Sequence, residues 1–320
     1  MSELRVGVVG GGHFGRYHTK NYGEHPKANL VGVADTNMEV ANRVANEFGC
    51  RALGSYEELI DQVDAVSVAV PTQFHYDIAA AMLDAGKHVL LEKPMTVNLE
   101  EADSLMEKAE ESSATLQIGH VERFNRAVQK LSTVMTSPLF VEAHRMSPFP
   151  ERSSDVTVIL DLMIHDLDII LYLVNSPLVS VDAVGVPVLS PKVDIANARL
   201  RFENGCVANV TTSRVSFEAV RKFRVFEPAA YMSLDYKNQQ IMRYTMRDGA
   251  TIEPGRMMEA INVENVPVDK AMSLELEIDS FVECILTGSE PVVTAQDGRD
   301  VLKLALDISD CITKGSVCEY

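Results

Sequence analysis

No run in this chain of 320 residues is long and apolar enough for a membrane span, which needs about 18–20 residues almost free of charge. The longest candidate, "VTVILDLMIHDLDIILYLV" (156–174), is broken by Asp161, His165, Asp166 and Asp168. Basic residues are scarce: 29 Lys and Arg stand against 46 Asp and Glu, a net charge of −17. A chain so acidic repels a polyphosphate backbone, which argues against nucleic acid as a partner. The five cysteines, Cys50, Cys206, Cys284, Cys311 and Cys318, sit at no metal-ligand or redox spacing, and the expectation is five reduced thiols. The opening "MSELRVGVVG" enters a strand at once, without the pattern of a secretory signal, so a cytoplasmic protein is expected. Internal repeats, low-complexity segments and a composed linker are all missing.

What is present suits a two-domain globular protein, since 46% of the residues are hydrophobic. "LRVGVVG" (4–10), "LVGVADT" (30–36), "DAVSVAV" (64–70), "HVLLEKP" (88–94) and "TLQIGHV" (115–121) are short apolar runs. Helical patterns alternate with them, which implies a doubly wound parallel sheet covered on both faces. Beyond residue 121 the runs lengthen and alternate: "VSVDAVGVPVL", "IANARLRF", "CVANVTTSRVS", "KFRVFEP", "AYMSLDY", "QQIMRYTM". In "FENGCV" Asn204-Gly205 reads as a type I′ hairpin turn. The second half is therefore expected to be α+β with an open, mainly antiparallel sheet. Two closing helices are expected, one from near Leu274 and one with Gln296 or Asp297 as cap and Gly315 as stop.

"VGVVGGGHFGRYH" places Gly10, Gly12 and Gly15 as G-x-G-x-x-G between a strand and a helix, with His13 and Phe14 inside the motif. The first glycine makes the tight turn, the second lets backbone approach a pyrophosphate, and the third lets helix and strand pack closely. The helix N-terminus then offers unpaired N–H groups to the phosphates. Asp35 follows Gly15 by 20 positions at the end of the next strand, beside Thr36. A carboxylate there accepts from ribose hydroxyls and repels a 2′-phosphate, which favours NAD. The competing reading is that Asp35 or Thr36 caps the next helix. Residues 1–121 thus read as an NAD-binding Rossmann domain, and 122–320 as a substrate-binding and oligomerisation domain.

"HVLLEKPMT" sets Glu92, Lys93 and Pro94 at the C-terminal end of a parallel strand, where ligands bind in such sheets. Together with "GGGHFGRYH", "VAVPTQFHYDIAAAMLDAGKHVLLEKP", "DLMIHDLDII" and "VTAQDGRDVLKLALDI", it resembles the Gfo/Idh/MocA oxidoreductase family over essentially the whole chain. The resemblance implies nicotinamide-dependent chemistry on sugars, cyclitols or their derivatives. It carries the active-site lysine onto Lys93. It also sets "VPTQFH" beside the nicotinamide, making Pro71, Thr72, His75 and Glu92 cofactor neighbours; His75 reads equally well as an ordinary helix-start residue.

At 100° per residue Asp161, His165 and Asp168 fall within about 60° of one another, whereas Asp166 points about 140° away and is expected to face solvent or a neighbouring helix. A charged stripe on an apolar helix must be paired or face a site. Three ligand types on one face would also suit a metal, but hydride chemistry beside a lysine needs none. The resemblance makes Asp161 and His165 catalytic partners of Lys93, with Asp168 supporting the substrate site. A substrate hydroxyl would lose its proton to His165 as its carbon gives hydride to NAD, with Lys93 bonding the same oxygen and Asp161 orienting the base. Which of Lys93 and His165 takes the proton is left open.

In "IGHVERFNRAV" Glu122 stands where many relatives carry the first arginine of a G-x-x-R-R pattern, and Arg123 keeps the second. That departure puts a simple inositol in doubt. "GHVERFN" and "EAHRMSPFPERSSDVTVILDLMIHDLDIIL" are similar to the bacterial UDP-N-acetylglucosamine 3-dehydrogenase group, whose 3-keto product is aminated for 3-amino lipid A. Arg123, Arg145 and Arg152 are then the cations available for a diphosphate. The alternating strands would expose a broad sheet face, so a homodimer or homotetramer through that sheet is expected.

Overall fold

The computed structural model describes residues 3–149, 156–247, 249–251 and 254–320. The chain divides into two compact units, Met1–Val121 with Met272–Leu302, and Glu122–Ala271 with Lys303–Tyr320.

The first unit alternates β1 (Leu4–Val9), α1 (His13–Glu24), β2 (Ala28–Ala34), α2 (Met38–Phe48), β3 (Arg51–Leu53), α3 (Glu57–Ile60), β4 (Ala65–Val68), α4 (His75–Asp84), β5 (His88–Glu92), α5 (Leu99–Ser112) and β6 (Leu116–Gly119). Its strands form a parallel sheet of order β3-β2-β1-β4-β5-β6. The central strands are buried on both faces, which is why they read as unbroken Val and Leu runs. Asn37 caps α2 by accepting from the N–H groups of Glu39 and Val40, and Asn98 caps α5 by accepting from Glu101. The cap of α2 is therefore neither Asp35 nor Thr36.

Residues 272–302 were expected in the second domain but belong to the first. The physical reason is the apolar face of α8 (Ser273–Thr287): Ile278, Phe281 and Val282 are fully buried in one cluster with Leu4, Val6, Val8, Tyr22 and Val33. The last helix, α9 (Ala295–Lys314), is capped by Thr294, whose hydroxyl donates to Asp297 and accepts from its N–H. Asp297 is thus the reciprocal member of the cap rather than the cap itself, and Gln296 takes no part in it.

The second unit holds α6 (Arg126–Val134), β7 (Phe140–Met146), α7 (Ile164–Val174), β8 (Leu178–Val186), β9 (Ile195–Phe202), β10 (Val207–Ser213), β11 (Val220–Glu227), β12 (Ala230–Asp235), β13 (Gln240–Met246), β14 (Ile261–Val266) and β15 (Cys318–Glu319). They build a nine-stranded sheet of order β14-β13-β12-β11-β7-β10-β9-β8-β15, antiparallel except at β7–β10. Alternating burial along β9 and β10 marks one covered and one open face, and α7 packs against β7 and β10. The 203–206 turn differs from the expected type I′. Only Gly205 has positive φ (85°), and Gly205 N–H donates to Phe202 while Phe202 N–H donates to Cys206. This is the longer hairpin loop that closes on a left-handed glycine.

The expectation of five reduced thiols is corrected at the C-terminus: Cys311 and Cys318 are joined, with Cα atoms 6.3 Å apart. Gly315, at φ 62°, reverses the chain after α9, and β15 then runs back beside β8. That reversal brings together two cysteines that linear spacing kept apart. Among the described residues, no helix is long and apolar enough to cross a membrane.

Candidate functional site

In the first unit the glycines do three different jobs. Gly10 has φ 96°, and a Cβ there would lie 2.4 Å from the Ala69 carbonyl oxygen. A Cβ on Gly15 would lie 1.7 Å from the Gly10 oxygen, so helix and loop touch only because residue 15 has no side chain. Gly12 has nothing within 4 Å of its Cβ position and sits at the N-cap of α1, open for an anion. His13 and Phe14 are the first exposed residues of that helix, with their rings edge-on 5.6 Å apart.

Asp35 accepts from Gly11 N–H at 2.8 Å and from Asn37 N–H at 2.8 Å, which aims its carboxylate from the end of β2 toward the glycine loop. A cleft of about 570 Å³ opens there, walled by Gly10, Gly12, Asp35, Thr36 and Pro71. Tyr56, Glu57, Phe74, Asp77 and Ile78 also line it and had not been singled out in the sequence. Tyr56 and Glu57 follow β3 at the start of α3, Phe74 ends the turn before α4, and Asp77 and Ile78 lie in the first turn of α4, so only the strand order shows that they share one sheet end. An open glycine at a helix N-terminus, a ribose carboxylate and an apolar cleft beyond it fit a dinucleotide. Asp35→Ala should lower the NAD-to-NADP affinity ratio by about 10-fold. Titration with each cofactor checks this, and an unchanged ratio removes Asp35 from the ribose site.

Thr72 opens a single turn, Thr72–Phe74, ahead of α4. His75 is 1% exposed, and its ring nitrogens lie 2.9 Å from the carbonyl oxygens of Pro94 and Val70. Burial pushes its imidazole below the ordinary histidine range. It ties the loop after β4 to the Glu92-Lys93-Pro94 exit. Lys93 is half-buried, its N–H donates to Glu92, and the Lys93–Pro94 peptide is cis. Glu92 itself points inward, its carboxylate 3.0 Å from His18 Nε2. That leaves it inside the domain rather than beside a ligand.

In the second unit α7 begins with a wide turn, Ile159–Met163, in which Ile164 N–H donates to the Ile159 carbonyl five residues back. Such turns are rare and gather at functional sites. Asp161 lies within it and His165 just beyond, both half-buried. Arg214, 0% exposed, braces the entry to this turn: it donates to the Val156 carbonyl and pairs with buried Asp194 at 2.8 Å.

Asp166 is not outward-facing as expected. It is 1% exposed and accepts two bonds from Arg145, Nε to Oδ2 at 2.8 Å and Nη2 to Oδ1 at 3.1 Å. The same guanidinium reaches Glu122 at 3.2 Å. Burial works against the charge on Arg145, but Asp166 and Glu122 more than reverse that and hold it cationic. Burial, then Asp166, push the Tyr236 phenol well above its usual range. Asp168 is 0% exposed and takes Arg123 at 2.9 Å through Nε. Arg123, Arg145 and Asp168 are thus committed to buried ion pairs, and the expectation that they bind substrate gives way to one in which they lock α7 to β7 and to the 122–124 segment. Arg152 lies outside the described residues. The sequence could not show this because periodicity reports which way a side chain leaves its helix, not which distant guanidinium meets it.

The fold and the glycine-cornered cleft define the class: a Rossmann protein that binds NAD. Residues 4–120 match the family model described as oxidoreductase family, NAD-binding Rossmann fold, and residues 133–227 match the GFO/IDH/MocA C-terminal domain. The chain belongs to the Gfo/Idh/MocA oxidoreductase family. It is 40% identical over 309 residues to UDP-N-acetylglucosamine 3-dehydrogenase of Acidithiobacillus ferrooxidans, covering 96% of this chain and 97% of that one. A solved structure of that enzyme superposes with TM-score 0.92 at 39% identity, covering 98% of this chain and 99% of the other. The scyllo-inositol 2-dehydrogenase (NAD(+)) of Bacillus subtilis is 27% identical over 98% of this chain and 95% of its own.

Proposed function

We propose that the chain oxidises the C3 hydroxyl of UDP-N-acetylglucosamine to a ketone with NAD. The observation that carries this reading is 40% identity, over nearly the full length, to an enzyme of that name. Glu122 supports it from the other side. Its carboxylate is taken up by Arg145 and Asn125, in the place where the resemblance expects a polyol-binding arginine. NAD, when bound, supplies the hydride acceptor. Gly12 and the α1 N-terminus hold its phosphates and Asp35 its ribose. Lys93 and His165 serve the reacting hydroxyl: one accepts its proton and the other steadies the charge that develops on oxygen, while Asp161 orients the imidazole. Having all of Lys93, Asp161 and His165 argues against a cofactor-binding sensor without catalysis. The 3-keto product would suit a PLP-dependent aminotransferase on the way to a 3-amino lipid A sugar.

NADH formation with a panel of UDP-sugars, free hexoses and inositols tests the reading. Turnover with UDP-N-acetylglucosamine is expected to exceed that with any free sugar by at least about 100-fold. Turnover on inositol alone would replace the nucleotide sugar with a cyclitol. The protein is also proposed to be a homo-oligomer through the open sheet face. An aromatic ladder crosses that face: Phe140–Phe226 at 5.8 Å, Phe226–Tyr231 at 4.8 Å and Tyr231–Tyr244 at 5.0 Å. Light scattering that returns the mass of one chain would overturn this.

A further inference from the structure

The wide turn that carries Asp161 opens α7, where a helix is least able to hold itself. The first N–H groups of any helix lack partners within it, and a turn closed five residues back replaces the ordinary bonds to the fourth residue. Among the described residues no side chain caps this turn at Val158. The Val158 N–H donates instead to the Val193 carbonyl at 3.1 Å, and the Asp161 N–H to the Thr157 carbonyl at 3.1 Å. Two residues before Val158, the Val156 carbonyl accepts from Arg214 Nη1 at 2.6 Å. The backbone on both sides of Thr157 is therefore held from outside.

Arg214 directly follows β10, and its other arms are fastened too. Nε donates to Asp194 Oδ1 at 2.8 Å and Nη2 to Ser190 Oγ at 3.0 Å, while the Ser190 hydroxyl donates to the same Asp194 oxygen at 2.7 Å. The second Asp194 oxygen accepts three successive N–H groups of the β8–β9 connection: Val188 at 2.8 Å, Leu189 at 2.6 Å and Ser190 at 2.8 Å. Converging backbone N–H groups of this kind attract an anion, and here the chain's own carboxylate fills the place. The Arg214 N–H returns to the Asp194 carbonyl at 3.0 Å, and both side chains are 0% exposed. The connection thus seats Asp194, Asp194 seats Arg214, and the remaining arm of Arg214 reaches the start of the wide turn. Downstream, Asp166 and Asp168 hold α7 through Arg145 and Arg123. Asp161 and His165 lie between these two fastenings.

We infer that Arg214, seated by Asp194 and Ser190, is a positioning residue for the reaction: it fixes the start of the wide turn and thereby the placement of Asp161 and His165. The inference rests on the reading that these two residues serve the reacting hydroxyl. Its scale follows from geometry, because a misplacement of about 1 Å at a reacting group can cost roughly 100-fold in rate. Arg214→Lys isolates the effect. It keeps a positive charge for Asp194, but one ammonium cannot reproduce the planar fork that spans Asp194, Ser190 and Val156.

The test joins steady-state kinetics on UDP-N-acetylglucosamine to amide hydrogen exchange read by mass spectrometry. In Arg214→Lys kcat should fall by about 10–100-fold, while KM and NAD affinity stay within about 3-fold of wild type. Exchange over residues 158–165 should quicken by at least about 10-fold, with β11 and β12 of the same unit unchanged. Phe223→Leu, a trimmed core residue of β11, controls for general loss of stability and should leave both readouts near wild type. Unchanged exchange over 158–165 in folded Arg214→Lys overturns the inference, as does a Phe223→Leu variant that reproduces both effects. Faster exchange with unchanged kcat also overturns it where His165→Ala has lost turnover. Where His165→Ala keeps its turnover, the reading of the site has failed instead, and the hold of Arg214 on the turn is judged by exchange alone. If Arg214→Lys does not fold, Ser190→Ala, which opens the same ring of hydrogen bonds, decides by the same two readouts.

Discussion

Lys93→Ala and His165→Ala are each expected to lower kcat by roughly 10²–10⁴-fold while NAD affinity changes by no more than a few-fold. On the proposed binding mode the cofactor's adenosine half and phosphates depend on Gly12, Asp35 and the cleft beside them, none of which these substitutions touch. On the proposed mechanism, what is lost is the proton acceptor for the hydroxyl in one case and the group that steadies its oxygen in the other. If the two act on one oxygen as proposed, the double variant should be only slightly worse than the poorer single variant. His165→Ala also spares the buried face of α7, where Ile164, Leu167, Ile169 and Ile170 carry the packing. Steady-state rates and cofactor titration check both halves of the statement. Near-normal rates in both variants would leave the polar stripe of 161–168 with a structural role only.

Asp166→Ala is expected to have the largest effect on stability. It leaves the Arg145 guanidinium, 3% exposed, with Glu122 at 3.2 Å as its one remaining carboxylate among the contacts described, and removes two hydrogen bonds. Breaking a buried pair from one side costs about 3–5 kcal/mol, because the surviving charge stays desolvated. For a unit of this size that corresponds to roughly 10 °C in melting temperature. The double variant Asp166→Ala with Arg145→Met should recover part of the loss, since it takes the stranded charge away as well. Differential scanning calorimetry would decide, and a fall below about 1 kcal/mol in the single variant would mean that water reaches the site and solvates Arg145. The pairing also explains how so apolar a helix tolerates Asp166 and Asp168: each carboxylate has its own arginine, from β7 and from the 122–124 segment.

Much of the first domain was legible because its signals are local. A parallel sheet buried on both faces writes itself as Val-rich runs, and the glycine spacing with an acidic residue at the end of the next strand is a pattern readable along the chain. The expected polar stripe rested on helical spacing, which the wide turn at Ile159–Met163 alters at Asp161. It went wrong at Asp166, whose partner lies 21 residues upstream on a strand, and at Asp168, whose partner Arg123 looked like a phosphate ligand. Ser67 was passed over because it sits singly in an apolar strand and His18 because it sits in a polar helix like any surface residue, and only the fold brings the two together. The helix α8 was misassigned because nothing in its own residues says which core it fills. The wide turn at 159–163 left no mark either: its apolar residues suit an ordinary helix equally well.

The return of residues 272–302 to the first unit has a consequence in time as well as in space. A ribosome that has released residues 1–121 has delivered all six strands of the parallel sheet but not Ile278, Phe281 or Val282, which share a core with Leu4 and Val6. Gly298, whose missing side chain makes room for Ile118 of β6, is also still to come. The domain that begins the chain is thus among the last to be finished. Its first 121 residues must wait, with apolar surface uncovered, through the synthesis of the entire nine-stranded sheet except its final two-residue edge.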